Sequence, residues 1–259
     1  MRQRLVWGVL LCLVVGSQQV ASGKETKPRK HPLSTQKRKA FQTTFKKTVA
    51  EMTERIKRDP KKIEWYSRRA DAYFFLGKFK KAVADYEKMV ALNPKLNSSH
   101  WRRGIAWFYA GEYRKAAHQF EIYNTFDNVD RENGIWRFFS QTKAHGLKKA
   151  RQSLLKYKKD DREPFPDVYR LFSADITGKE ILRKIAAAKI DKTEREKRLF
   201  YAELYIGLDH ALHGRNQEAI QHLEKAVANQ WGPTAGFGPN YMWHVGRLHY
   251  ELLTKSNSK

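Results

Sequence analysis

Cysteine occurs once in 259 residues, at Cys12, and acidic side chains are scarce, with 27 Asp and Glu against 51 Lys and Arg. A lone thiol cannot form an intrachain disulfide, a redox pair or a cysteine-based zinc site. Long apolar runs are missing too. The longest opens the chain, Leu5 to Val15 in "MRQRLVWGVLLCLVVGSQQVASGK". It falls well short of the roughly 20 residues that a membrane-spanning helix needs. There is no Gly-rich phosphate loop, no Gly-x-Ser-x-Gly elbow and no His-Glu-x-x-His pair. Nothing in the chain therefore announces nucleotide, serine-hydrolase or zinc-protease chemistry.

The short apolar run is framed as an export signal. Arg2 and Arg4 precede it and the small residues Ala21, Ser22 and Gly23 follow, so 1–23 is expected to be a cleaved signal peptide. Leu10 and Leu11 stand before Cys12, where a lipidated cysteine would need a small residue, so Cys12 reads as part of the apolar centre. The mature chain is then expected to be soluble and exported, periplasmic or extracellular. Losing Arg2 and Arg4 takes the formal charge from +24 to +22. Such a field favours acidic proteins, anionic envelope polymers or lipid head groups, while export argues against nucleic acid. Part of that charge sits in 24–35, a basic segment without apolar periodicity that is expected to be disordered.

What the sequence does contain is a period. "ADAYFFLGKFKKAVADYEKMVALNP" starts at Ala70, and its pattern returns 34 positions later in "RGIAWFYAGEYRKAAHQFE". Ala70 becomes Gly104, Gly77 becomes Gly111, Phe79 becomes Tyr113, Ala82 becomes Ala116 and Tyr86 becomes Phe120. Fixed self-similarity of this length marks a repeat architecture. Small residues suit places where two antiparallel helices approach closely, aromatics fill the wedge around them, and the glycines serve the turns. A third unit, "LYIGLDHALHGRNQEAIQHLEKAVANQ", puts Gly207, Gly214, Ala219 and Ala226 at the same offsets.

Around these units the chain reads as helix. Residues 36–59 form a leading helix with Phe41, Phe45, Val49, Met52 and Ile56 on one stripe. Two repeats fill 60–130, degenerate helical repeats fill 131–195, and 196–259 holds the final repeat and a capping helix, "NYMWHVGRLHYELL". The Gly- and Pro-rich "WGPTAGFGPN" reads as the linker into that cap, with Trp231 and Phe237 free to pack or bind.

These motifs resemble the tetratricopeptide repeat. The order of elements over roughly 36–230 is similar to the NlpI-type lipoproteins of bacterial envelopes. The resemblance implies an all-α right-handed solenoid of helix-turn-helix repeats with a C-terminal capping helix. It further implies a non-enzymatic adaptor without cofactor or metal, often a homodimer, that docks a processing protease or cell-wall hydrolases in the cell envelope. The missing lipidation cysteine and the strongly basic charge depart from that family.

In such repeats the first helix of each pair lines the inner face. That places Glu64, Ser67, Asp71, Phe74 and Phe75 there, followed by Ser98, Trp101, Ile105, Phe108 and Tyr109, and in the last unit by Tyr201, Leu204, Leu208, Ala211 and Leu212. With Arg68, Arg69, Arg102 and Arg103 beside it, this face suits a helix or extended peptide. The same aromatics equally suit packing against the leading or capping helix, and both readings stand at this stage. The alternative function is a basic binder of anionic polymers or lipid head groups. A metal site built from His210, His213, His222, His244 and His249 is the weakest reading, because His210 takes a position that packing explains. Asp160 and Asp161 read as a solvated turn.

Overall fold

In the computed structural model, residues 31–159 and 161–256 are described. The expected signal peptide, the first part of the basic segment and Asp160 lie outside the described residues. Among the described residues there are twelve α-helices, one 3-10 turn at Pro94–Leu96 and no strand. The protein is an all-α helical repeat solenoid.

The leading helix, α1 (Thr35–Arg58), starts at Ser34, whose hydroxyl accepts from the Lys37 N–H at 3.1 Å. It stops before Pro60, which disfavours helix in the residue ahead of it. The next four helices are the two hairpins that the period foretells: α2 (Ile63–Phe75) with α3 (Phe79–Leu92), then α4 (Trp101–Tyr109) with α5 (Tyr113–Phe126). Gly77 and Gly111 take φ of +71° and +84° at the turns, a left-handed region costly to residues with a Cβ. Ala70, Ala82 and Ala116 are wholly buried at the crossings. At Gly104 a Cβ would lie 2.6 Å from the Phe120 ring, so α4 and α5 touch where only glycine fits.

The degenerate region keeps the hairpin plan but shortens it. α6 (Arg131–His145) turns at Gly146 (φ +88°) into α7 (Leu147–Gln152), which has six residues. α8 (Phe165–Ser173) and α9 (Gly178–Ala187) follow, and Thr177 and Glu180 form a reciprocal capping box at the start of α9. The last repeat pairs the long α10 (Lys192–Leu212) with α11 (Asn216–Ala228). Here Gly207 approaches Leu223, where a Cβ would stand 2.8 Å from Cγ, and Ala219 is wholly buried.

The capping helix, α12 (Phe237–Ser256), packs along α11 and also reaches α10 and α2. Its Tyr241 ring lies 5.1 Å from Phe74 and 5.2 Å from Phe75, and its His244 stacks on Phe75 at 4.2 Å. The Arg247 guanidinium donates to the Phe75 carbonyl at 2.7 Å, and Tyr109 hydrogen-bonds His249 at 3.0 Å. The helix therefore runs inside the solenoid along the face made by the first helices. Residues 31–34 pack on it as well: Leu33 is buried and His31 meets the Tyr250 ring edge-on at 5.0 Å. That part of the basic segment is held by an apolar anchor, which its charge pattern did not reveal.

Candidate functional site

The residues expected on the inner face divide into three groups. Phe74 and Phe75 are buried beneath α12, so here the packing reading describes the aromatics. Ser67 and Asp71 are tied up beside them. Arg102 donates to Ser67 at 3.1 Å and to both Asp71 oxygens at 2.7 and 2.8 Å, while the Tyr86 hydroxyl donates to Asp71 at 2.5 Å. Burial pushes the Asp71 carboxyl up, against the opposing pull of Arg102.

The neighbouring arginines are likewise internal. Arg69 forks onto Asp85 at 2.8 and 2.7 Å, joining α2 to α3. One period later the same positions hold Arg103 and Gln119, joined at 2.8 and 2.5 Å. The expectation that this arginine row flanks a groove is corrected for these three. Arg69 and Arg103 each brace their own hairpin through a buried acceptor on the next helix, and Arg102 ties α4 back to Ser67 and Asp71 on α2. Arg68 remains exposed.

Most of the other residues expected on the inner face border two cavities, one near each end of α12, while Glu64 is exposed and Leu204 is buried. The second-helix end of the face holds a cavity of about 370 Å³ lined by Phe108, Tyr109, Leu208, Ala211, Leu212 and others from α5, α6 and α12. Leu252, 44% exposed, is at its wall. The other cavity, about 380 Å³, lies where α12 begins, walled by Trp101, Phe120, Tyr123, Trp136, Tyr201 and Trp231, with Ile105 beside them. Gly238, Pro239 and Met242 of α12 close one side. Phe237, 57% exposed, stands next to Trp101 with ring centroids 6.2 Å apart. Trp231 packs on Phe200 and Tyr201, so the linker aromatic is part of the wall.

The polar groups of this cavity were not visible as a set in the sequence. Asp130 and Glu132 start α6, and Arg162 lies 30 residues on, in the segment before α8. The Arg162 guanidinium meets Glu132 at 2.8 Å, Asp161 at 3.1 Å and Asp130 at 3.3 Å. Asp161 also accepts from the Arg131 N–H at 2.9 Å, and its side chain is 6% exposed, so it is a buried anchor and not a solvated turn. Glu132 accepts in addition from the Tyr205 hydroxyl. Burial pushes the Glu132 carboxyl up to about 7, in spite of Arg162. Burial works against the Arg162 charge, yet the three carboxylates more than offset it and hold it protonated. Lys197, at the wall, pairs with Glu194 at 3.0 Å.

The histidines are engaged one by one. His210 and His222 stack 5.3 Å apart, His222 pairs with Glu203 at 2.5 Å, and Arg215 donates to His210 at 2.7 Å. His213 pairs with Asp209 at 3.3 Å. His244 and His249 are held inside α12's packing, and burial lowers both, His249 to about 4. Among the described residues no three His, Cys, Asp or Glu side chains converge as a metal site.

Comparison with known families decides the repeat type. Residues 63–96, covering α2, α3 and the 3-10 turn, match the tetratricopeptide repeat. The chain carries a tetratricopeptide repeat. That match begins at the first residue of α2 and ends at the last residue of the turn, so one period corresponds to one complete hairpin. A search of the curated proteins finds no match. Tetratricopeptide-repeat proteins are in general scaffolds for protein–protein interaction and do no chemistry themselves.

Proposed function

We propose that the protein is an exported, non-enzymatic adaptor of the cell envelope, similar in role to the NlpI-type lipoproteins, and that it holds a protein segment at the open part of its inner face. The observation that carries this reading is the aromatic cavity beside the start of α12. The repeats supply its walls from α4, α5, α6 and α10, and exposed Phe237 extends its apolar rim. Trp101 and Trp231 are partly exposed at this concave, part-polar hollow, and such aromatics are the composition of interaction hot spots. A processing protease or a cell-wall hydrolase is the partner class this reading implies.

The test uses Trp101→Ala and Phe108→Ala, one at each cavity. Both side chains are half-buried, so both variants are expected to remain folded by circular dichroism. Trp101→Ala is expected to weaken capture of a defined partner segment at least about tenfold, as hot-spot truncations do. Aggregated or molten chains would assign Trp101 to the core, and undiminished binding would move the partner elsewhere.

A second reading has its own observation. α1, α12 and His31 border a groove that carries Arg38, Lys39, Lys46 and Lys255, while its one acid, Glu251, is already paired with the buried Arg247. This favours binding of anionic polymer or lipid head groups. Such binding should fall steeply as salt shortens the Debye length from about 10 Å at 0.1 M, whereas anchoring by buried aromatics should persist.

A further inference from the structure

Within a chain of formal charge +24, carboxylates gather at the cavity at the start of α12, whose lining also carries Arg162 and Lys197, the latter paired with Glu194. Three carboxylates, Asp130, Asp161 and Glu132, surround one guanidinium. Helix capping accounts for part of this. Asp130 accepts from the Glu132 N–H at 3.0 Å, and Asp161 accepts from the Arg131 N–H. Glu132 caps nothing. Its carboxylate points across to α10, to Tyr205, and to Arg162, which already has two acids. The third carboxylate is surplus to neutralising Arg162, and it lies at the wall of an aromatic hollow with 15% of its side chain exposed.

We propose that this cavity binds an organic ammonium group, with the aliphatic stem of the ligand against the rings of Trp101, Tyr201 and Trp231 and its charge at the Glu132 carboxylate. Aromatic faces attract cations through their quadrupole, and a carboxylate in a partly dry site adds a charge-assisted hydrogen bond. A 380 Å³ hollow is of the size that takes a small ligand or one long side chain. An anion is disfavoured by the surplus acid, and a neutral hydroxylic ligand makes no use of it. The inference deepens the adaptor reading, which makes a lysine side chain of a partner segment the source of the ammonium. A free alkylamine shares that chemistry.

Binding should move a proton. Burial outweighs Arg162 and pushes the Glu132 carboxyl up to about 7. The groups facing it are Asp130 and Tyr123, Asp161 and Arg162, and, from α10, Lys197, Tyr201 and Tyr205, while α12 contributes only Gly238, Pro239 and Met242. A bound cation favours the ionised carboxylate, so part of a proton leaves on binding and affinity rises with pH through about 7.

The experiment is isothermal titration calorimetry of the full chain with four probes. They are cadaverine, a short lysine peptide, the same peptide with the lysine acetylated, and the norleucine peptide. Titrations run at about pH 6 and about pH 8, in buffers of differing ionisation enthalpy. The expected result is saturable binding of the two ammonium probes, tighter at the higher pH and with proton release, and at least about tenfold weaker binding of the two neutral peptides. Preference for the lysine peptide over cadaverine assigns a partner segment as the source, and the reverse assigns a free amine. Glu132→Gln should cut ammonium affinity about tenfold and abolish the proton release, and Trp101→Leu should weaken the ammonium probes several-fold while sparing the norleucine peptide. Equal binding of acetylated and free lysine, or no binding of either ammonium probe, overturns the proposal. If the ammonium probes fail while a partner segment still binds in a Trp101-dependent way, the ammonium inference falls and the adaptor reading stands.

Discussion

Glu132 and three histidines give the fold opposing responses to pH. Glu132 is raised from 4.5 to about 7 by burial, so the folded state binds the extra proton. Its contribution is fully present below the unfolded value and is lost as pH rises through about 7, a swing on the order of 3 kcal/mol. His100, His244 and His249 are all lowered by burial, His100 to about 3 and His249 to about 4. Their contribution is present above the ordinary histidine value and is lost as pH falls towards the folded values. Thermal unfolding across pH is therefore expected to show a maximum on the mildly acid side of neutral. Glu132→Gln should raise the midpoint at about pH 8 and leave it nearly unchanged at about pH 4, and a midpoint lowered equally at both would show that Glu132 acts only through shape. None of this was legible in the sequence. Glu132, Arg162 and Tyr205 lie 30 and 73 positions apart, outside any repeat offset, and only the fold brings them together.

At the scale of the helix pair, packing obeys the period closely. Ala82 and Ala116 sit fully buried at equivalent crossings, so Ala82→Leu and Ala116→Leu should each overpack the hairpin and cost about 1–3 kcal/mol in chemical denaturation. Gly104 has no room for a methyl group before the Phe120 ring, whereas Gly77 has open space and a positive φ. Gly104→Ala should therefore strain a side-chain contact, and Gly77→Ala should strain the backbone by about 1–2 kcal/mol. Replacing Phe120 by leucine should relieve the first and not the second, which a double-mutant cycle reads directly. These elements were legible because each small residue and turn glycine recurs at a fixed offset. The short α7 and the insert of α8 and α9 were legible only as helix, since their apolar stripes repeat nothing.

For the molecule as a whole, the decisive element is α12. Its apolar stripe announced a capping helix, but an amphipathic pattern says that a face is buried without saying against what. The helix lies on the inner face, covers Phe74 and Phe75, and leaves a cavity towards each end. A chain ending after residue 236 would uncover those phenylalanines together with Leu204, on which Gly246 packs. It is expected to lose cooperative unfolding and to bind hydrophobic dye, whereas an unchanged sharp transition would make α12 a removable plug. The arginine row shows the same limit of sequence reading. Arginines near aromatics suggested an interface, and three of the four proved to be engaged by other helices, Arg69 and Arg103 within their hairpins and Arg102 back to α2.

The central claim is that the aromatic cavity at the start of α12 receives the partner. The most direct measurement selects segments from a random displayed peptide library on the full-length chain and retests the winners on Trp101→Ala. Peptides that set a lysine among apolar residues are expected, surviving high salt and losing at least about tenfold in affinity on the variant. Acidic peptides that bind both chains equally and wash off as salt rises would place recognition on the basic face of α1, and the claim for the cavity would fail.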